Sequence, residues 1–438
     1  MSEHSRRQFL RAAALSAAGV SCSGWMPRLA RAAAGDPARR RHCVLLWMPG
    51  GPSQMDTFDL KPGHANGGPF KEIETSVSGL KISEHLPKLA AQAENLAIVR
   101  SLSTAEGDHN RGTYLMHTGH KPGGPISFPT MGSTLSKALG TDDAELPNFI
   151  SIAPQVALNS AAYGPGFLGP RHAPLTVGSG NVIAAPQQPA AGLGVDDLRN
   201  PGVSREQEDA RLDLWRMLQT SFLAEHGSAS PKAQNTVYER AVRMMRSEAA
   251  QAFDLAGESD KVKDAYGRGQ FGQGCLMARR LIERGVPFIE IALRSNGGVL
   301  GWDTHQQNFD RVKSLSAELD AGWATLMTEL HERGLLESTT ILWLGEFGRT
   351  PTINPGAGRD HFPKAWTTVL AGGGIKGGQA YGRTSADGGT VEENQVDVPD
   401  VLATLCRALG IDPATCNISE LGRPIKIADG KPIEALLA

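Results

Sequence analysis

The sequence predicts an α/β protein built on a doubly wound, mostly parallel sheet with helices on both faces. Three observations carry that expectation. Apolar runs of strand length alternate with amphipathic stretches, one strand–helix–strand unit is complete, and polar residues collect in loops just beyond the strands. Alternating strands and helices need crossover connections, which make strands parallel and cover both sheet faces. Residues 42–48 are an apolar run ended by Pro49-Gly50-Gly51-Pro52, and residues 95–102 are a second short strand. Residues 206–226 and 233–255 show helical periodicity and, with 271–284, make a helical middle. Residues 286–293 and 339–344 are strands joined by a long amphipathic helix over 306–333, and these two strands are expected to be parallel. Residues 366–370 are a further core strand before the turn Gly372-Gly373-Gly374. Asp397-Val398-Pro399-Asp400 opens a helix through Leu409, with Gly410 at its C-terminal end. Residues 104–190 are rich in Gly and Pro and give no clear elements, and 120–130 and 178–205 read as long surface loops.

Composition narrows the function classes. With 438 residues, 40% hydrophobic and 21% charged, the chain is neither coiled coil, collagen nor wholly disordered. Lys+Arg 44 against Asp+Glu 46 leaves no basic excess to grip a phosphate backbone, so no nucleic-acid partner is expected. Ser5-Arg6-Arg7-Gln8-Phe9-Leu10-Arg11 resembles the twin-arginine consensus, a weakly apolar stretch follows over 12–26, and Ala30-Arg31-Ala32 offers a cleavage site. Residues 1–32 are therefore expected to be a signal peptide, with the twin-arginine translocase as partner during export and a periplasmic or secreted product. Removing five arginines and one glutamate leaves 39 basic and 45 acidic residues, net −6. The apolar stretch is too short to span a bilayer, and Gly19-Val20-Ser21-Cys22 is a poor lipobox, so no stable membrane anchor is expected. Residues 42–438 are then one α/β domain with a helical insertion at about 206–284. Cys43 and Cys275 lie in apolar runs and read as reduced core residues, while an oxidising compartment allows a bridge between Cys406 and Cys416.

In open α/β sheets ligands bind beyond the carboxyl ends of the strands. The first strand leads to Asp56 and Asp59, the strand at 286–293 to Asp303 and His305, and the strand at 339–344 to Glu346, with Asp360 and His361 a short loop later. Such a carboxylate–imidazole set suits Zn²⁺ or Mn²⁺ better than Ca²⁺, which takes all-oxygen shells. The candidate metal ligands are Asp303, His305, His361 and Glu346, with Asp56. Bland readings stand beside them: Asp303 or Thr304 as a helix cap, Glu346 in an ion pair with Arg349, and His361 as a satisfied loop histidine. His109 stands near the start of a helical turn at Tyr114-Leu115-Met116, where the positive end of the dipole favours anions. It is the candidate nucleophile or general base; His117 and His120 read as solvent-exposed. Arg349, Arg359 and Arg111 are candidate clamps for an anion. Gly164-Pro165-Gly166-Phe167-Leu168-Gly169 matches a dinucleotide fingerprint, but Pro165, Pro170 and Pro174 leave no room for the receiving helix.

Leu45-Leu46-Trp47-Met48-Pro49-Gly50-Gly51-Pro52-Ser53-Gln54-Met55-Asp56-Thr57-Phe58-Asp59, Gly301-Trp302-Asp303-Thr304-His305, Gly345-Glu346-Phe347-Gly348-Arg349-Thr350-Pro351 and Gly358-Arg359-Asp360-His361 resemble the motifs of the DUF1501 proteins. That family is similar, more distantly, to the alkaline phosphatase-like superfamily of phosphatases, sulfatases and phosphomutases. The resemblance implies an alkaline phosphatase-like core with a divalent-metal site at its carboxyl edge. It also implies that Asp56 or Asp59 matches the acid after the first strand, that Glu346 keeps an acid where the superfamily has Asp-His-Gly, and that His361 matches the final histidine ligand. Thr118-Gly119 fit the end of the sulfatase signature, which puts His109 at the nucleophile's position. Two functions follow as expectations. One is metal-dependent hydrolysis of a small anionic ester, phosphate or sulfate; the other is a non-catalytic envelope binding or scaffold protein on a degenerate form of that fold.

Overall fold

Residues 42–47 set the centre of the sheet. In the computed structural model, which describes residues 41–178, 193–195, 198, 202–226, 229–294 and 300–438, strand β1 (His42–Trp47) is buried along its whole length. The proposed signal, with Arg6, Arg7 and the site at 30–32, lies outside the described residues, as does most of the expected loop at 178–205. The described residues from Arg41 to Ala438 form one compact unit.

The other strands of the main sheet are β4 (Leu96–Leu102), β5 (Phe149–Ile152), β6 (Leu175–Val177), β7 (Phe288–Ala292), β8 (Thr339–Leu344), β11 (Trp366–Gly372) and β12 (Gln379–Tyr381). Four small ribbons lie outside it among the described residues: β2 (Glu72–Glu74) with β3 (Lys81–Ser83), β9 (Gly348–Arg349) with β10 (His361–Phe362), Arg383–Thr384 with Val391–Glu393, and Cys416–Ile418 with Pro424–Lys426. The eight strands lie in the order β12-β4-β11-β8-β1-β7-β5-β6. β7 and β8 flank β1 and both pair with it in parallel, as the strand–helix–strand spacing predicts. β11 alone runs against the rest, antiparallel to both β8 and β4. The carboxyl ends of β1, β4, β7 and β8 therefore share one edge.

Beside a single turn at Pro87–Ala90, the helices among the described residues are α1 (His109–Thr118), α2 (Met131–Leu139), α3 (Arg205–Glu225), α4 (Ala229–Arg246), α5 (Asp260–Tyr266), α6 (Gln270–Glu283), α7 (Asn308–Glu332) and α8 (Val398–Ala408). Alternate residues of β1 feed two separate cores, because successive side chains on a strand point to opposite faces. Val44 and Leu46 pack with Phe271 and Leu281 of α6 and with Leu319 and Trp323 of α7. Cys43, Leu45 and Trp47 pack with Leu115 of α1, Met131 of α2 and Leu402 of α8. The sheet is covered on both faces, as a doubly wound fold requires. α3 stands apart, with no buried residue.

Local chemistry fixes the ends of these helices. Asp397 and Asp400 form a reciprocal capping box at the start of α8, and Gly410 follows its end at φ +74°. The helix expected over 233–255 stops at Arg246, because the Ser247 hydroxyl takes the Ala249 N–H and a 3₁₀ turn, Glu248–Phe253, follows. The Gly/Pro-rich stretch after 104 holds α1, α2, β5 and β6, which the sequence did not announce beyond the turn at 114–116. The residues after Gly164 form only 3₁₀ turns, so no helix is there to receive a pyrophosphate. Cys43 and Cys275 are buried thiols, as expected; Cys406, buried in α8, and exposed Cys416 are free as well, so the allowed bridge is not formed.

Candidate metal centre

The carboxyl edge gathers its polar side chains from four strand ends. Glu346 follows β8, Asp303 follows β7, and His109 opens α1 a few residues after β4. Asp108 caps α1 by accepting the Arg111 N–H, which turns His109 into the site at the helix's positive end. The β9–β10 ribbon sets Arg349 directly across from His361. Close approach of the turn after β1 completes the edge. Gly50 has φ +110°, and a Cβ there would collide with the Asp303 backbone nitrogen. Any side chain at 50 would push the two loops apart.

One oxygen is the focus. Asp303 Oδ1 lies 3.1 Å from His305 Nε2, 3.3 Å from His109 Nε2 and 3.5 Å from His361 Nε2. Arg349 Nη2 reaches the same oxygen at 2.6 Å. His109, Asp303 and His361 each offer a ligand atom within 4.8 Å of the others, and theirs is the group among the described residues with the spacing of a metal site. His305 joins its edge, with Nε2 3.0 Å from that of His361.

Partners on the far side of each ring settle where the protons are. His361 Nδ1 lies 2.8 Å from the Gly107 carbonyl, His305 Nδ1 2.7 Å from Asp360, and His109 Nδ1 2.5 Å from Glu346 Oε1. Each partner is an acceptor, so each Nδ1 carries the hydrogen and each neutral ring turns a bare Nε2 lone pair inward. Glu346 Oε1 is fixed in turn by the Gly50 N–H at 2.8 Å. Lone pairs of His305 and His361 at 3.0 Å, beside a carboxylate oxygen, repel unless positive charge lies between them. Two buried atoms also lack a hydrogen-bond partner, His109 Nε2 and Glu346 Oε2. This donor set fits a divalent cation, with outer acceptors holding each ligand ring in the metal-binding tautomer.

Electrostatics express the same demand. Burial draws the His109 imidazole down, but Asp303 and Glu346 overcome it and hold the group up at about 9. Burial would raise the Asp303 carboxyl, yet His109, His361 and Arg349 hold it far below the carboxylate range. Burial draws the Arg349 guanidinium below its ordinary value against the pull of Asp303. The Phe347 ring, fully buried, packs against His109 and His361 with centroids at 4.9 and 4.7 Å and keeps water from the floor of the site.

The structure thus brings together Asp303, His305, His361, Glu346, His109 and Arg349. It does not bring Asp56. That carboxylate is fully buried and held by Arg359 at 2.8 and 3.1 Å and by Asn308 at 2.9 Å. Arg359 is no open clamp either, since its remaining donors go to the carbonyls of Asn66, Thr350 and Pro351. Arg349 is closed in the same way by Gly50, Gly51 and Arg359 carbonyls, and Arg111 is engaged by Glu106 at 2.6 and 2.9 Å. Neither Asp303 nor Thr304 caps α7, whose first residue follows Gln307, and Glu346 contacts His109 rather than Arg349. His117 is not solvent-exposed: its ring is buried against Trp47 and Tyr163, with Nε2 3.6 Å from the buried Glu290. Half-buried His120 stacks on Phe128. Sequence reasoning did not pick out Phe347 or the role of Asp360; a carboxylate next to a candidate ligand, as in Asp360-His361, is the signal that pointed there.

Known proteins can now be set beside this geometry. The family model described as "Protein of unknown function (DUF1501)" matches residues 40–437. The chain belongs to the DUF1501 family. Comparison with curated proteins gives no match. Among solved structures, this DUF1501 chain is similar to a protein in the alkaline phosphatase superfamily from Vibrio parahaemolyticus, at 12% identity and TM-score 0.42, over 92% of this chain and 72% of that one. It is similar to the lipoteichoic acid synthase LtaP from Listeria monocytogenes at 10% identity and TM-score 0.39, over 91% and 77%. It is also similar to the phosphonate monoester hydrolase of Agrobacterium radiobacter at 9% and TM-score 0.34, over 91% and 77%. Values this low leave the chemistry to be read from the site's own atoms.

Proposed function

We propose that this DUF1501 protein is a divalent-metal-dependent hydrolase of small phosphate or sulfate esters on an alkaline phosphatase-like core. The observation that supports it most is the convergence of three Nε2 atoms on Asp303 Oδ1, with every Nδ1 held by an outer acceptor. His109, His361 and Asp303 would hold the cation, with Zn²⁺ or Mn²⁺ suiting the mixed donors. Bound there, the metal supplies Lewis acidity toward an ester oxygen and offsets developing negative charge.

The protein's own groups divide the remaining work. Glu346 holds His109 Nδ1 and leaves its unpartnered Nε2 facing Asp303, so it acts as a ligand rather than as the nucleophile expected from its sequence position. His305 is the most exposed of the three rings, at 44% against 27% for His361 and 13% for His109. Asp360 orients it, and its Nε2 is placed to take a proton from an attacking water as general base. The positive end of α1 favours an anionic substrate. Export by the twin-arginine route is part of this reading. It is tested by fractionating cells carrying Arg6→Lys/Arg7→Lys, where unchanged periplasmic accumulation refutes it. None of the described helices is long and apolar enough to cross a membrane.

One observation favours the non-catalytic alternative: Arg349 already neutralises Asp303, at 2.6 Å, with its other donors engaged by backbone. The deciding experiment measures metal content of the folded chain and turnover across a panel of phosphate and sulfate esters. Turnover lost in both Asp303→Ala and His305→Ala supports the enzyme. A chain that takes up neither Zn²⁺ nor Mn²⁺ and turns over no ester, even with both supplied, supports the binding protein.

A further inference from the structure

Away from the site, α3 is the least buried long element among the described residues. One side meets α4 through Trp215 against Tyr238, with ring centroids 5.5 Å apart, and through the Asp209–Arg246 ion pair. The flank of α3 beside that contact carries Leu214, Met217, Leu218 and Phe222 at 56%, 67%, 63% and 47% exposure, with Met245 of α4 at 41%. Large apolar side chains contiguous on one surface mark an interaction site, whereas single ones do not.

The spacing of that stripe identifies its occupant. Arg211, Leu218 and Glu225 lie seven residues apart and fall on one line along the helix, with Leu214 and Phe222 flanking it. Consider a second copy of α3 laid antiparallel across a two-fold axis at Leu218. Residues whose positions are symmetric about 218 then come level. Leu218 meets its own copy, Leu214 meets Phe222, and Arg211 meets Glu225 at both ends of the contact. The apolar centre is thus closed by two opposite-charge pairs, and the same patch serves both partners, as an isologous interface requires. Arg211 and Glu225 make no ion pair within the described part of the chain. A membrane surface fits less well. Interfacial helices carry mainly Lys and Arg on the polar face, whereas α3 carries Glu206, Glu208, Asp209, Asp213 and Glu225 against Arg205, Arg211 and Arg216.

We propose that α3 is a self-association surface through which two copies of this chain pair antiparallel about Leu218. A contact one helix wide buries less than the ~800 Å² per partner of a standard interface, in the range of weak and transient encounters. Sedimentation velocity of the full chain from about 1 to 100 µM should show a reversible monomer–dimer equilibrium. Leu218→Glu sets two like charges against each other at the axis and should leave a monomer throughout. Arg211→Glu and Glu225→Arg should each weaken the dimer, and the double variant should restore it, a rescue that misfolding does not mimic. Leu218→Cys should give a disulfide-linked dimer beyond any formed by the parent, because only a two-fold at 218 brings that residue to itself. A parent chain monomeric over the whole range overturns the proposal. So does a dimer that persists in Leu218→Glu, or flotation of a monomeric chain with phospholipid vesicles that Leu218→Glu abolishes.

Discussion

Asp303 and Asp56 leave parallel strands at the same edge of the sheet, and each lies against a fully buried arginine. Their surroundings make them opposite in kind. Asp56 is closed: both oxygens accept from Arg359, Asn308 adds a third donor, and neither partner of the ion pair is exposed. Asp303 is open, 26% exposed, and a single oxygen faces Arg349 and three imidazole nitrogens. A buried carboxylate whose lone pairs are all matched to donors works as a strut between loops. A carboxylate that turns one oxygen toward three imidazole nitrogens is the place where, on the proposed reading, a cation would sit.

The largest effect expected from this contrast is on the closed pair. Arg359→Met leaves Asp56 buried without its cation, which should cost about 3–5 kcal/mol in urea unfolding. Replacing both, as Asp56→Leu/Arg359→Met, should recover much of that loss, because no unpaired charge remains. A single-variant cost below about 1 kcal/mol would show that the pair is no strut. Asp303→Asn should act on the site instead, with loss of Zn²⁺ affinity by more than about 100-fold in titration calorimetry, and it also takes the carboxylate from buried Arg349. Unchanged affinity there would remove Asp303 from the metal centre.

A milder change separates ligands from the groups that orient them. Asp360 touches His305 Nδ1 but does not reach the cluster's centre, and the hydrogen bond from His305 holds its carboxyl below the ordinary value. Asp360→Asn should lower metal affinity by less than the about 10-fold to 100-fold typical of an outer partner of a metal-bound histidine, because His305 is the proposed base and not a ligand. Its clearer signature should be a changed pH profile of ester turnover, since His305 is the proposed base. A pH profile identical to the parent's would assign Asp360 to packing.

How far the sequence disclosed this contrast depends on range. Strands β1, β7 and β8 were legible because both faces of each are buried, which yields unbroken apolar runs. α7 and α8 were legible from periodicity and from the Asp397 and Gly410 ends. β5 and β6, only four and three residues long, disappear among glycines and prolines. At the site, the sheet-edge rule found Asp303, His305, Glu346 and His361, because each follows a strand or an adjoining loop. The same rule also chose Asp56, and the search for bidentate anion clamps chose Arg359 and Arg111. Nothing local in a sequence says that Asp56 will meet an arginine 303 positions away, or that Glu106 will hold Arg111. Which polar groups are already matched is a tertiary fact, and that fact separates the strut from the site.

The smallest expected effect, on pH, tests whether charge is what the open cluster lacks. In the metal-free chain a proton on His109 provides it, since Asp303 and Glu346 hold that imidazole up at about 9 against an ordinary 6.5. A raised folded-state value means that the contribution is complete below 6.5 and is lost as pH climbs through about 9. The metal-free chain should therefore unfold at a lower temperature at pH 9 than at pH 6.5, by ~2 °C for each kcal/mol lost, and His109→Gln should flatten that slope. With Zn²⁺ present the sign should reverse. Protons and metal compete for the same Nε2 atoms, so metal-linked stability should grow as pH rises from 6.5. Opposite slopes with and without metal would mean that proton and cation occupy one place. Parallel slopes would mean that the imidazoles around Asp303 are not the atoms that bind metal.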